Sequence, residues 1–481
     1  MARTKIICTI GPASEDPDVV RGLIRAGMDV ARINFSHGDA ATHARAIATV
    51  RGVAEEEGRL VAVMADLQGP KLRVGELPDE GVALVEGETV VLTLSPFAAG
   101  RIPVPHPEVF RDVQVGQQVL LDDGRLELVV EEAGAEEVRC RIVTGGRLTS
   151  CKGLNLPGAA LNISALTPKD REDARFAVEQ GVDFVALSFV RSPNDVEDLR
   201  SLLAGWEADL PIVAKIEKPE ALAVFDNILR AADVVMVARG DLGVETPPEE
   251  VPFHQKRIIR ACNLVGKPVI TATQMLQTMI ERPTPTRAEA SDVANAILDG
   301  TDAVMLSGET AVGAYPVEAV RTMARICTNA DVHLPLGRFL YGAERSISPT
   351  VTEAISQATV EIAAEVGAKA ILTATMSGTT ARMVARHRPA VPIVAVTPNR
   401  CTLMRLTMVW GVTPVLVPRF ATTDEMLLLM VQAAHRRGFV QKGDLVILTA
   451  GIPFGGEGCT NMLKVHVVGE KGEAQREPCE G

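Results

Sequence analysis

Eight short apolar runs, each followed by an amphipathic helical pattern, constrain this chain more than any other feature. The runs are Lys5–Ile10, Val30–Phe35, Leu60–Leu67, Val182–Val190, Ile212–Glu217, Val234–Arg239, Val269–Thr273 and Ala303–Leu306. Near-continuous apolar strands alternating with helices are the pattern of a parallel sheet covered on both faces. Eight such units predict a (β/α)8 or TIM barrel from residues 1–69 and 166–335, about 240 residues against a typical size of roughly 250. A doubly wound open sheet is the competing architecture. Residues 70–165 break the pattern. Short runs at Val82–Val85, Thr89–Leu94, Val119–Leu121, Leu126–Val130 and Val138–Val143, with turns at Glu86-Gly87 and Asp123-Gly124, predict a small all-β lid domain. It would interrupt the barrel after its third strand, on the face where active sites form.

From 336 to 481 the alternation restarts. Helical patterns at Thr352–Val366, Thr379–Arg386 and Thr423–Arg437 separate strand candidates Ala370–Thr375, Ile393–Thr397, Val415–Val417, Leu445–Thr449 and Lys464–Val468. This predicts a separate open-sheet α/β domain, and the last dozen residues read as a polar tail.

Composition narrows the partners. With 47% hydrophobic residues the chain can bury a large core, while 3% aromatics argue against base-stacking nucleic-acid modules. A formal charge of −12 repels phosphate backbones and anionic membranes, so any anionic ligand needs a local basic cluster. No nucleic acid or membrane partner is therefore expected. The eight cysteines lack a CxxC pair, which favours reduced thiols and a cytoplasmic location. Gly11-Pro12 arrives too soon for a signal-peptide core, and no apolar run approaches the roughly 20 residues of a membrane span.

In a barrel, the C-terminal strand ends carry the chemistry. The second strand places Arg32, Asn34 and Ser36 on one face, and the third ends in Asp66. Lys215 and Glu217 share a face of the fifth, the sixth ends Arg239-Gly240-Asp241, the seventh in Thr273 and the eighth in Ser307-Gly308-Glu309. Each has a structural alternative: Lys215 and Glu217 as an ion pair, Asn34 and Ser36 as turn formers. Convergence of six polar strand ends on one rim favours a site, because burying so many unpaired charges is costly. Glu217 and Asp241 are hard oxygen donors suited to Mg²⁺, and Arg32 and Lys215 supply cations for an anionic substrate. That equipment suits phosphoryl transfer.

The blocks KIICTIGPAS (Lys5–Ser14), ARINFSHG (Ala31–Gly38), IVAKIE (Ile212–Glu217), ARGDLGVE (Ala238–Glu245), VITATQML (Val269–Leu276), PTRAEASDVA (Pro285–Ala294) and MLSGET (Met305–Thr310) resemble the pyruvate kinase family, as does KGLNLPG at Lys152–Gly158. The resemblance implies transfer of a phosphoryl group from phosphoenolpyruvate to ADP, giving pyruvate and ATP, with Mg²⁺ or Mn²⁺. It implies that Arg32 and Lys215 hold the transferred phosphoryl group and that Lys215 stabilises the enolate. Glu217 and Asp241 would hold the metal, and backbone amides near Arg239, Gly240 and Asp241 the substrate carboxylate. Thr273 would lie at the face where the methyl proton arrives, with Ser307 and Glu309 in a polar network behind it. Arg73 would reach the nucleotide phosphates. Asn34, Ser36, Asp66 and the Leu67 carbonyl match the family's monovalent-cation site. The family commonly reads DTKGPEIR where this chain has Asp66-Leu67-Gln68-Gly69-Pro70-Lys71-Leu72-Arg73. Lys71 replaces a glutamate linked to potassium dependence, so K⁺ is expected to be unnecessary.

The C-terminal domain carries Thr375-Met376-Ser377-Gly378-Thr379-Thr380 between a strand and a helix. By resemblance this is an effector-phosphate loop, with Thr375, Ser377, Gly378, Thr379 and Thr380 as ligands. Residues 451–461 lack the Trp and Arg that resemble fructose-1,6-bisphosphate ligands, which points to a sugar monophosphate or AMP. The family expectation for assembly is a homotetramer. Another phosphoenolpyruvate-handling barrel and a catalytically dead metabolite sensor are the alternatives.

Overall fold

The computed structural model describes residues 2–158, 163–334, 350–453 and 459–469. The expected polar tail and residues 454–458 of the later effector loop lie outside these. The eight runs close into a parallel barrel. Its strands are Lys5–Ile10, Val30–Asn34, Ala62–Asp66, Phe184–Leu187, Ile212–Ile216, Val234–Ala238, Val269–Ala272 and Ala303–Leu306. The last pairs with the first, Lys5 standing opposite Ala303. Most ladders are shorter than the apolar runs. Val182 and Val190, for example, are buried under helices rather than paired. From the third strand onward every barrel-strand residue is buried, as a sheet covered on both faces requires.

Eight helical layers surround the barrel, the fifth split into Pro219–Ala223 and Phe225–Ala231. Short helices at Arg239–Glu245 and Gly308–Ala311 follow the sixth and eighth strands. The helix after the insert, Pro168–Glu179, begins with a capping box between Thr167 and Asp170. Asp170 Oδ1 also accepts the Gly69 amide at 3.0 Å, fastening the loop that leaves the third strand. Gly69 itself has φ +67°, and a Cβ there would meet the Phe189 ring at 2.8 Å, so both conformation and space require glycine.

The insert forms a six-stranded sheet, ordered Leu154–Asn155, Gln118–Leu121, Leu126–Ala133, Glu137–Thr144, Thr89–Thr93 and Arg101–Pro103, plus a two-stranded ribbon. The expectation of an all-β insert needs one correction, the helix Pro107–Asp112. Its single turn and a half carries too little periodicity to be seen beside the strands.

The C-terminal sheet is open and mixed, in the order Val412–Leu416, Ile393–Thr397, Ala370–Ala374, Leu445–Ala450, Met462–Val467, with only the last strand antiparallel. The expected strand Val415–Val417 begins earlier, and Pro414 lies inside it. Proline is tolerated there because this is an edge strand. Sequence reading also missed the helix Arg400–Arg405 and the turn Leu406–Met408. From these, Leu403, Met404 and Met408 join Ile7, Met64 and Met236 in the barrel-interior core, so the C-terminal domain plugs the barrel floor.

Polar contacts lock that plug. Arg388, fully buried, donates from Nη1 to Asp302 Oδ1 (2.9 Å) and from Nη2 to Asn263 Oδ1 (2.9 Å). It also stacks 4.9 Å from the Trp410 ring. Trp410 Nε1 donates to Asp331 Oδ1 at 3.0 Å, and Asp331 accepts the Thr4 hydroxyl at 2.8 Å. Beside this lock, burial and then the neighbouring Arg386 push the His387 pKa down to about 3, against a weaker opposing pull from Glu353. A base depressed when folded is charged only on unfolding, so its stabilisation is complete above pH 6.5 and is lost as pH falls towards 3. We expect stability to decline on acidification below pH 6.5 with a slope of up to about 1.4 kcal/mol per pH unit from this group. Urea midpoints at pH 5 and 7 check this, and His387→Gln should flatten the difference. Among the described residues no helix is long and apolar enough to cross a membrane, and the seven described cysteines are free.

Candidate active site

The rim at the C-terminal strand ends gathers more groups than expected. Lys215, on the fifth strand, is buried and donates from Nζ to Ser188 Oγ at 2.6 Å. The same ammonium lies 2.9 Å from Glu217 Oε1 and 3.3 Å from Asp66 Oδ1. Arg32 donates from Nε to Asp66 Oδ2 (2.6 Å) and from Nη1 to Thr9 Oγ1 (2.9 Å). Two cations and two carboxylates thus interlock at the ends of three strands.

Their protonation follows from that network. Burial opposes the Lys215 charge, but Asp66 and Glu217 outweigh it and raise its pKa. Burial likewise opposes the Asp66 charge, yet Lys215 and Arg32 prevail and hold this carboxyl below the usual range. Glu217 goes the other way: burial raises it, Asp241 adds to the rise, and Lys215 only partly compensates. Glu217 Oε2 accepts the Phe189 amide at 2.6 Å, and Phe189 takes φ +55° to present it. Asp241 disfavours the charge on Glu217, and two such hard oxygen donors form a set that a divalent cation fits.

Asp241 stands in the first turn of the helix Arg239–Glu245, with Lys71 Nζ 4.0 Å from its Oδ1. Lys71, Arg73 and Arg32 converge further on. After burial, these three, in the order Arg73, Lys71, Arg32, lower the pKa of His37. The lid supports Arg73 through the His106 ring, whose Nε2 accepts the Arg73 amide at 3.2 Å.

The Arg239 side chain turns away from the rim. Its Nη1 pairs with Asp292 Oδ2 (2.7 Å) and its Nη2 donates to the Thr273 carbonyl (2.8 Å). These bonds hold Thr273 and Gln274 at φ +69° and +54°, a costly conformation for a β-branched residue. The Gly240 amide donates to Thr273 Oγ1 at 2.7 Å, and that hydroxyl donates to the Ala272 carbonyl at 2.6 Å. Glu309, fully buried, accepts the Leu276 and Ser307 amides at 3.0 and 2.7 Å, whereas the buried Ser307 hydroxyl has no hydrogen-bond partner.

Three of the four groups matched to a monovalent cation, those of Asn34, Asp66 and Leu67, are used locally. Asn34 Oδ1 accepts the Ser36 amide (3.2 Å), Asp66 is bonded to Arg32 and Lys215, and the Leu67 carbonyl accepts the Ser188 hydroxyl (2.7 Å). In the C-terminal domain, Thr375 Oγ1 accepts the Gly378 amide (2.9 Å) and Ser377 Oγ lies 3.0 Å from Thr379 Oγ1. Thr380 Oγ1 contacts Thr460 Oγ1 at 2.9 Å.

Sequence reading passed over Ser188, Thr9 and the Phe189 amide. A hydroxyl at the fourth strand end was a usable signal, and with Thr9 all eight strands serve the rim. It also missed Glu245, which accepts from Asn155 Nδ2 of the insert (2.7 Å) and pairs with Lys218 of the barrel (2.5 Å). A narrow cleft between insert and barrel is lined by Lys71, Asn155, Phe189, Lys218 and Asp241 among others.

Residues 1–320 match the family described as "Pyruvate kinase, barrel domain", and residues 353–466 match "Pyruvate kinase, alpha/beta domain". The chain belongs to the pyruvate kinase family. It is 49% identical over 473 residues to a pyruvate kinase of Geobacillus stearothermophilus, covering 97% of this chain and 81% of that relative. It is 45% identical over 475 residues to pyruvate kinases of Staphylococcus epidermidis and Staphylococcus aureus, covering 98% of this chain and 81% of each. Membership makes the chain a phosphotransferase, and pyruvate kinases generally require a divalent metal.

Proposed function

We propose that the chain transfers the phosphoryl group of phosphoenolpyruvate to ADP, giving pyruvate and ATP in glycolysis. The observation that carries this is the interlocked set Arg32, Asp66, Lys215 and Glu217, beside Asp241, inside a chain of this family. Arg32 and Lys215 place two cations where the transferred phosphoryl group would lie. An oxygen of the ADP β-phosphate attacks phosphorus, the bond from phosphorus to the enol oxygen breaks, and that oxygen keeps the electron pair. The Lys215 ammonium, held charged by its carboxylates, stabilises the enolate as it forms. The enolate methylene carbon then takes a proton to become the methyl of pyruvate. Thr273, pinned at its strained strand end, positions that face; its own proton is committed to the Ala272 carbonyl. The Gly240 amide already serves Thr273, so the substrate carboxylate would displace that bond or use the neighbouring amides of Arg239 and Asp241. Glu217 and Asp241 would hold Mg²⁺ or Mn²⁺, which when bound neutralises substrate negative charge. Arg73, supported by the lid, would meet the nucleotide phosphates.

Three further readings belong to this proposal. The division at 1–69 with 166–335, 70–165 and 336–481 is supported by separate buried clusters for insert and C-terminal domain. The hydroxyls of Ser377, Thr379 and Thr380, with Thr375 and Gly378 shaping the turn, support an activating phosphorylated metabolite such as a sugar monophosphate or AMP. A cytoplasmic homotetramer is the family's usual form.

Lys71 brings a fixed ammonium into the cluster of Arg32, Arg73 and Asp241, where it can supply the charge that K⁺ otherwise brings. A lactate-dehydrogenase-coupled assay with tetramethylammonium as the sole monovalent cation tests both ideas. Pyruvate formation from phosphoenolpyruvate and ADP is expected, with little gain from added K⁺. No pyruvate under any cation would overturn the reaction, and a many-fold rescue by K⁺ would overturn the role of Lys71.

A further inference from the structure

Arg73 lies where the chain enters the insert, and the backbone around it is paired on two sides. On one side the Val74 amide donates to the Lys152 carbonyl at 2.9 Å, and the Leu154 amide donates to the Leu72 carbonyl at 3.0 Å. Backbone groups alternate along an extended chain, so the Arg73 amide points to the other side. There the Gly75 amide finds the Pro103 carbonyl at 2.7 Å, after which the partner chain turns into the helix Pro107–Asp112. What meets the Arg73 amide is a side chain instead: His106 Nε2 accepts it at 3.2 Å. An imidazole thus stands in for the next carbonyl of a strand that has ended.

His106 occupies the N-cap position of that helix, yet its side chain makes no capping bond, being turned to Arg73. The accepting Nε2 fixes the tautomer, so the ring proton sits on Nδ1, which faces Glu108 Oε1 at 3.3 Å. Glu108, in the first turn of the same helix, therefore sets both the tautomer and the direction of the ring. The Arg73 side chain is tied more loosely, by one 3.3 Å bond from Nη1 to the Cys151 carbonyl. Its charge still reaches the barrel rim, where it leads the three cations that, after burial, lower the pKa of His37. A guanidinium so loosely tethered is aimed by its own backbone, and small displacements of a binding group are costly.

We propose that His106 and Glu108 are positioning residues for nucleotide binding: the imidazole anchors the Arg73 backbone, so that the guanidinium meets the phosphates of a nucleoside diphosphate. This rests on the reading of Arg73 given above and deepens it. The short helix of the insert then becomes a determinant of ADP affinity. Phosphoenolpyruvate, held by barrel groups, is indifferent to it.

The test combines steady-state kinetics with calorimetric ADP titration on the full chain in the presence of Mg²⁺. His106→Leu should raise KM and Kd for ADP by about fivefold to tenfold, the scale of one lost hydrogen bond, with KM for phosphoenolpyruvate and kcat within about twofold. His106→Gln, whose amide oxygen can reach the Arg73 amide, should restore most of the affinity, and Glu108→Ala should fall between the two. In an Arg73→Met background, His106→Leu should add less than about twofold, because it acts through that arginine. Unchanged ADP affinity in His106→Leu, beside a clear loss in Arg73→Met, would overturn the roles of His106 and Glu108 and leave Arg73 standing. Unchanged affinity in Arg73→Met would overturn the reading of Arg73 itself, and this proposal with it. Equal losses for both substrates, no rescue by glutamine, or a full effect in the Arg73→Met background would make His106 a strut of the insert and sink the proposal. Should His106→Leu not fold, Glu108→Ala and its double variant with Arg73→Met carry the same test, additive losses there counting against it.

Discussion

Lys215→Met is expected to lower kcat for pyruvate formation by roughly 10³-fold, the scale of losing a preorganised charge at a developing oxyanion. The reason lies in what surrounds the ammonium. Burial disfavours its charge, and the combined pull of Asp66 and Glu217 keeps that charge in place. Its pKa is raised when folded, so the charge is intact across the neutral range and is lost only at strongly alkaline pH. The pH profile of the wild-type chain should therefore show no limb from this lysine below its ordinary pKa. Removing it has a second consequence. Glu217 already sits above the usual carboxylate range through burial, and it would lose its principal counter-charge. Methionine would also free Glu217 Oε1 of its 2.9 Å ammonium partner, so Mn²⁺ affinity should change along with the chemical step. Steady-state kinetics and Mn²⁺ titration by electron paramagnetic resonance read the two effects separately. Retention of more than about a tenth of the activity would remove Lys215 from the centre of the reaction.

Arg388→Met is expected to cost about 3–5 kcal/mol of stability, the range for breaking one side of a buried ion pair. The substitution strands Asp302, whose Oδ1 loses its 2.9 Å partner and keeps only the long 3.3 Å bond from the Trp410 amide. It also unpairs Asn263 Oδ1 and removes the nearer of two cations from the Trp410 ring, leaving Arg3 at 5.4 Å. Leu403, Met404 and Met408 depend on this docking to close the barrel interior. Chemical denaturation should show an earlier transition, with the C-terminal domain separating before the barrel unfolds. A loss below about 1 kcal/mol would mean that apolar contacts alone seat the domain.

The sequence pattern carried the barrel because its strands are buried on both faces and read as uninterrupted apolar runs. Arg32, Lys215, Glu217 and Asp241 were visible for a related reason: each is a charge at the end of such a run. Ser188 and Thr9 were harder to see, since a lone hydroxyl beside apolar residues has no distinctive spacing. The Glu245 contacts with Asn155 and Lys218 were not visible at all. Asn155 and Glu245 are 90 positions apart, and only the folded insert brings them together. The plug of the barrel floor was hidden likewise, because Leu403 and Met408 look like ordinary core residues of their own domain. The direction of the Arg239 side chain was not legible from its position. A strand-end arginine can serve ligand or scaffold, and here Asp292, 53 residues on, claims it.

The two ends of the insert lie together: the Gly69 amide, where the chain leaves the barrel, bonds to Asp170 just after its return. Arg73 and Gly153 face each other in an antiparallel bridge, and the Leu154 amide donates to the Leu72 carbonyl at 3.0 Å. For the barrel, this stretch of chain is therefore a detour of nearly zero net length. Its removal would leave two ends already side by side, with little closure entropy to overcome. Modules joined in that way can be gained, lost or exchanged without disturbing their host. A barrel whose lid is replaced by a two-residue turn should be obtainable, and it would separate what the barrel does alone from what the lid adds.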